Sequence, residues 1–154
     1  MKRIFHANDD YALRYSAKNG SLDIVKYLIA NGANVHADND FALGYSAENG
    51  HLDIVKYLIE NGANIHADDD SAFRCSAARG RLDIAKYLIE NGANIHADND
   101  SALIYSAQNG HLDLVKYLTE NDMNANNNYA LRSSAANGHW HIVKYLKSEV
   151  KQPS

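Results

Sequence analysis

Residues 40–69 read DFALGYSAENGHLDIVKYLIENGANIHADD, and residues 70–99 read DSAFRCSAARGRLDIAKYLIENGANIHADN, the same at 21 of 30 positions. An earlier copy starts at Asp10, a later one at Asp100, and a shorter fifth runs from Asn128 into Tyr145-Leu146. Ala12, Ala42, Ala72, Ala102 and Ala130 mark the register, three steps of thirty residues and then one of twenty-eight. A fixed period of this length means a stacked array, because one such unit cannot bury its apolar face alone. The expected units are 10–39, 40–69, 70–99 and 100–127, with 128–154 as a C-terminal capping repeat. Residues 1–9 read as the tail of a partial N-terminal repeat, since Phe5-His6-Ala7 matches Ile65-His66-Ala67. Such a tail fits either a fragment of a longer array or a start at which Ile4 and Phe5 cover the first helix pair, and the whole chain, 1–154, reads as a single domain.

Each unit predicts two short helices. Ala42, Leu43, Ser46 and Ala47 repeat at helical spacing and form one small-residue face. Asp40 stands before them as the expected N-cap. Leu52, Ile54, Val55, Leu58 and Ile59 give the second helix its apolar stripe, and Ala63 and Ile65 follow as loop residues. Asn-Gly pairs close both helices. Between alternating hydrophobics such a pair would signal a hairpin. Here the flanks have helical spacing, so eight of the nine glycines read as helix C-caps in the left-handed region.

Composition narrows the class. With 45% hydrophobic and 22% charged residues and a mean hydropathy of −0.46, the chain suits a soluble fold rather than a disordered one. No apolar run approaches the roughly 18 residues of a spanning helix. Cys75 is the single cysteine, which rules out an internal disulfide and suits a reducing, cytoplasmic setting. A net charge of −4 argues against a nucleic-acid partner.

The segment NGHLDIVKYLIENGANIHA, 49–67, resembles the ankyrin repeat, whose second half runs G-H-x-x-I-V-x-x-L-L-x-x-G-A-x-V/I-N. The match recurs at Gly20, Gly80 and Gly110 and more weakly at Gly138. The first half departs from the family's T-P-L-H-x-A. Ala42-Leu43 replaces Pro-Leu, Gly44 or Arg74 replaces His, and three loop residues are missing. The resemblance implies an all-α, ankyrin-type helix–turn–helix solenoid with shortened inter-repeat loops, the hairpin finger being cut to a tight turn. The D-N-D-x-A-L-R words resemble the ankyrin arrays of giant amoeba viruses, which would place the protein in a host cytoplasm. An engineered consensus array would read the same way.

Several ladders invite a functional reading. His6, His36, His66 and His96 share one repeat position, but copies about 10 Å apart cannot share a metal ion. They are expected to bond the backbone of the next loop. His51, His111 and His139 begin second helices in a structural role, and His141 is solvated. The acids Asp38/Asp40, Asp68/Asp69/Asp70 and Asp98/Asp100 form an expected solvated edge, with cation binding as an alternative. Lys26, Lys56, Lys86, Lys116 and Lys144 mark an outer face; the first four are expected to pair with Asp23, Asp53, Asp83 and Asp113 three residues earlier. Tyr27, Tyr57, Tyr87, Tyr117 and Tyr145 lay their rings on the stack. No G-x-S-x-G, H-E-x-x-H or phosphate-binding loop is present, and Cys75 is a repeat variant without a dedicated base. The expectation is no catalytic residue, no cofactor and no metal.

Variation among the copies falls on the turn and first helix. The turn position holds Tyr11, Phe41, Ser71, Ser101 and Tyr129; the next holds Arg14, Gly44, Arg74, Ile104 and Arg132. A third holds Lys18, Glu48, Ala78, Gln108 and Ala136, and Arg79 alone replaces Asn before the glycine. In ankyrin arrays this face is concave and binds protein partners, which implies contact roles for Tyr11, Arg14, Lys18, Phe41, Glu48, Ser71, Arg74, Arg79, Ser101, Ile104, Gln108, Tyr129 and Arg132. The expected function is non-enzymatic recognition of a protein by a monomer, with a structural or engineered array lacking a dedicated partner as the alternative.

Overall fold

The computed structural model describes residues 7–122 and 125–150, with side chains from Asp10 to Glu149 apart from Met123 and Asn124. The expectations for Ile4, Phe5 and His6 lie outside these residues. Ten α-helices follow one another among them: α1 Ala7–Asn19, α2 Leu22–Ala30, α3 Ala37–Asn49, α4 Leu52–Glu60, α5 Ala67–Ala78, α6 Leu82–Glu90, α7 Ala97–Gln108, α8 Leu112–Asn121, α9 Asn127–Ala136 and α10 Trp140–Val150. They form five pairs, with no strand among the described residues. Each first helix packs on the next first helix, and each second helix packs on its own partner. The layer is therefore an all-α solenoid, as the repeat requires.

The core is the repeated apolar word. Leu43, Phe73, Ile54, Ile84, Leu58, Leu88 and Leu118 are buried, together with Ala42, Ala47, Ala72, Ala77, Ala102 and Ala107. Small side chains on the first helices let them approach one another more closely than the Leu- and Ile-bearing second helices do. Ser46, Ser76 and Ser106 are fully buried on those first helices, each hydroxyl donating to the carbonyl three residues back.

The second helices end as the Asn-Gly pairs predict. Asn61 Nδ2 donates to the Tyr57 carbonyl at 2.8 Å, and the Ala63 N–H reaches the Leu58 carbonyl at 3.0 Å. Between them Gly62 has φ 96°, so the chain leaves the helix through the left-handed region without a Cβ penalty.

The turn into the first helix differs from expectation. Asp38, Asn39 and Asp40 have φ of 51°, 58° and 58°, one left-handed turn, and the same turn recurs at 68–70 and 98–100. Right-handed helix resumes only at Phe41. Asp40 is therefore not an N-cap, which would need extended backbone and a carboxylate turned toward its own helix. Its Oδ1 instead accepts the N–H of Asn64 at 2.9 Å, in the loop that closes the same repeat. Asp10 and Asp70 hold Asn34 and Asn94 in the same way, at 3.1 and 3.0 Å. The aspartates, not the histidines, bond the next loop. His36 and His66 turn inward through Nδ1 to the carboxylates of Asp40 and Asp70, each at 3.1 Å.

The outer ladder is also re-partnered. Among the described residues no ion pair joins the second-helix lysines to the aspartates three positions before them. Asp53 and Asp83 accept the N–H of Ile54 and Ile84 instead. Lys26, Lys56, Lys86 and Lys116 reach forward over the rings of Tyr57, Tyr87, Tyr117 and Tyr145, with Nζ 5.7, 5.4, 5.0 and 5.7 Å from the ring centres. Each such cation–π contact contributes roughly 0.5–1 kcal/mol at an exposed site.

Histidine and glycine interlock across repeats. His51, His111 and His139 donate through Nε2 to the carbonyls of Lys18, Ala78 and Gln108 in the preceding repeat, at 3.0, 3.1 and 2.9 Å. The ring of His111 also lies where a Cβ on Gly80 would sit, 2.5 Å from that position. These bonds give the histidines the structural role expected of them, and His141 is exposed as expected.

Candidate functional site

The face built from the left-handed turns and first helices carries the variable residues. At its N-terminal end Tyr11, Arg14, Tyr15, Lys18 and Tyr45 line a cleft of about 190 Å³. Tyr11 and Tyr15 are 60% and 57% exposed and stack with ring centres 6.0 Å apart, one helical turn from each other on α1. Lys18 places its ammonium 5.7 Å from the centre of the Tyr45 ring on α3. At the C-terminal end a broader groove of about 650 Å³ runs between α7 and α9. Ser101, Ile104, Gln108 and Tyr129 line it, beside Tyr105.

Several of the variable side chains are held by ion pairs within the molecule. Arg14 pairs with Asp38, and Arg74 pairs with Asp98 at 3.2 Å, each ion pair spanning 24 residues from one repeat to the next turn. Arg74 also donates through Nε and Nη2 to the carbonyls of Asp69 and Asp68, so its fork pins the left-handed turn. Arg79 pairs with Glu48 at 2.8 Å. Arg14, Arg74, Arg79 and Glu48 thus have intramolecular partners. Ser71 is half-buried, its hydroxyl 3.8 Å from where a Gly44 Cβ would lie. Phe41 and Arg132 are exposed, Phe41 stacking obliquely on Tyr45 at 5.7 Å. Ser101 is buried beneath its groove, and its Oγ has no hydrogen-bond partner among the described residues.

Tyr15 and Tyr105 also line the two hollows, although the repeat comparison did not single them out. Their column, Tyr15, Tyr45, Cys75, Tyr105 and Ser133, varies like its neighbours. Spacing alone left open whether these tyrosines pointed into the stack. Cys75 is half-buried, and burial, followed by the charge of Glu48, pushes its thiol pKa up. A raised pKa works against thiolate chemistry.

One cluster has the composition of a metal site. His96, Asp100 and Asp122 bring their ligand atoms within 4.8 Å of one another. The histidine ladder does not supply it; Asp122 enters because the fourth repeat ends in Asn-Asp rather than Asn-Gly, with extended backbone at Asp122. His96 Nδ1 lies 2.7 Å from Asp100 and 3.5 Å from Asp122. The hydrogen bond to Asp100, reinforced by the charge of Asp122, raises the His96 pKa.

A stack of short helix pairs joined by tight turns, presenting variable side chains on one face, defines the class of helical repeat scaffolds. The family model for ankyrin repeats, a three-copy model, matches residues 2–69 and 73–153. The chain belongs to the ankyrin-repeat family, whose members are generally protein–protein interaction modules. No curated protein matches the sequence. Among the described residues no helix is long and apolar enough to cross a membrane.

Proposed function

We propose that the protein is a non-enzymatic recognition module whose turn and first-helix face, on the inside of a curved stack, binds a protein partner. The observation that carries this reading is the grouping of Tyr11 and Lys18 in one hollow and of Ile104, Gln108 and Tyr129 in the other. The closer approach of the first helices supports concavity on their side, since a stack bends toward its tighter layer. Tyrosine is enriched among side chains that dominate binding energy. A rigid scaffold loses little ordering entropy on binding. The short turns and thirty-residue spacing support placing the chain with the arrays of giant viruses, acting in host cytoplasm.

Affinity capture from host-cell lysate, read by mass spectrometry, tests the proposal. The comparison variant replaces Tyr11, Lys18, Ile104, Gln108 and Tyr129 with Ala, leaving the arginine ion pairs intact. A protein retained by the wild type and lost by the equally folded variant supports the reading. Equal retention moves binding off this face, and no specific capture favours an array without a dedicated partner.

A further inference from the structure

We propose that the two ends of the stack bind each other, so that copies of this chain associate head to tail. Inside the molecule, the face each repeat turns toward its predecessor is buried at one invariant position: Ile54, Ile84 and Ile142 are 0% exposed and Leu114 is 1% exposed. Ile24 occupies that position in the first pair and is 51% exposed. Among the described residues no helix pair packs against this side of α1–α2. Tyr27 stands open in the same way at 59%, whereas Tyr57, Tyr87, Tyr117 and Tyr145 each lie half-buried under a lysine from the repeat before. A hollow of about 540 Å³ lined by Gly20, Ser21, Leu22, Asp23 and Ile24 marks this end.

The opposite end supplies the matching half. Leu131 and Ala135 on α9 are half-buried, while their copies Leu13, Leu43, Phe73 and Leu103, and Ala17, Ala47, Ala77 and Ala107, are buried. Those positions face the following repeat, and here none follows among the described residues. Lys144 repeats the position of the lysines that lie on the next tyrosine and is exposed. Gly138 has nothing within 4 Å of where its Cβ would be, whereas Gly20, Gly80 and Gly110 are each covered by the histidine of the next repeat. A second copy seated on this end would place Tyr27 under Lys144, Ser21 over Gly138 and Ile24 against the α9–α10 pair. The interface would repeat, nearly residue for residue, the one already made at every internal junction. Such a contact is heterologous and does not close on itself, so it extends into a linear stack.

Sedimentation of the full chain from micromolar to millimolar concentration tests this. The wild type is expected to rise with concentration above its single-chain mass of 17.1 kDa. Ile24→Glu at one end and Leu131→Glu at the other should each remain at the single-chain mass, while their mixture should form a species of twice that mass, because each variant keeps one competent end. Lys144→Glu, at an exposed position, repeats the C-terminal arm should Leu131→Glu lose helical circular dichroism. A wild type that stays at the single-chain mass throughout would overturn the proposal. So would folded variants that self-associate like the wild type, or a mixture that forms no pair.

Discussion

Asp40 and Asn64 lie 24 residues apart, at opposite ends of one repeat, and are joined by a 2.9 Å hydrogen bond from the Asn64 backbone N–H to the Asp40 carboxylate. The bond ties one left-handed turn to the next and replaces the hairpin contacts that a longer finger would make. It also explains how an acidic, left-handed turn persists. Asn and Asp tolerate the left-handed region as single residues; three in a row persist here with partners fixing the two ends of the turn. His36 holds Asp40 from one side, and Arg14 holds Asp38 from the other.

Asp70→Ala removes the same bond one repeat on, with its 3.0 Å contact to Asn94. Hydrogen bonds to charged groups contribute up to about 3 kcal/mol, so a loss of about 1–3 kcal/mol is expected in urea unfolding. Asp70→Asn keeps an acceptor oxygen and should cost less. Equal losses would show that the negative charge, rather than the acceptor, is what matters.

Asn39 has φ 58° and an exposed side chain. Asn39→Gly should leave stability unchanged or raise it, whereas Asn39→Val should lower it by about 1–2 kcal/mol because a β-branched residue resists this region. Thermal melting of both variants decides the matter. A Val variant as stable as wild type would mean that the turn is right-handed in solution.

Leu58 is fully buried and Lys56 is exposed with its ammonium over Tyr87. Leu58→Ala should cost about 2–5 kcal/mol as a core truncation. Lys56→Ala should cost under about 1 kcal/mol, the worth of an exposed cation–π contact. Equal effects would place the buried face elsewhere.

His96 is the pH-sensitive group beside the turn at 98–100. Asp100 and Asp122 raise its folded-state pKa, so folding favours the protonated ring. That contribution is fully present below the unfolded value of about 6.5 and is lost as pH rises through the higher folded value. The stability gap between wild type and His96→Gln should therefore be largest near about pH 5.5 and narrow toward about pH 8. Denaturation at both pH values reads the gap, and a gap that widens with pH would reverse the assignment.

Calcium should do little at the acidic turns. The carboxylates of Asp40, Asp70 and Asp98 already have partners, as does that of Asp38. A melting midpoint that moves by less than about 1 °C between excess calcium and chelator is expected, since a ligand binding only the folded state must raise it. A larger rise would show that the turns open to a cation.

Much of the fold was legible because the repeat is nearly a copy of itself. The thirty-residue step, the stripe Leu52, Ile54, Val55 and Leu58, and the Asn-Gly stops fix two helices per unit through local spacing and left-handed caps. The columns that differ between copies include Tyr11, Lys18, Ile104, Gln108 and Tyr129, and these residues line two grooves on the first-helix side.

Contacts between repeats were not legible in the same way. Asp40 read as an N-cap, Lys56 as the partner of Asp53 and Arg14 as a free contact residue, because local spacing offers each a near neighbour. Stacking then offered something better: Asn64 for Asp40, Tyr87 for Lys56 and Asp38 for Arg14. The sequence by itself determined the period, the helix pairs and the apolar stripe, since these depend on interactions within about one turn of helix. Only the tertiary structure decided which polar groups meet. The pairs are set by the translation from one repeat to the next, and a string of residues carries no direct record of that distance.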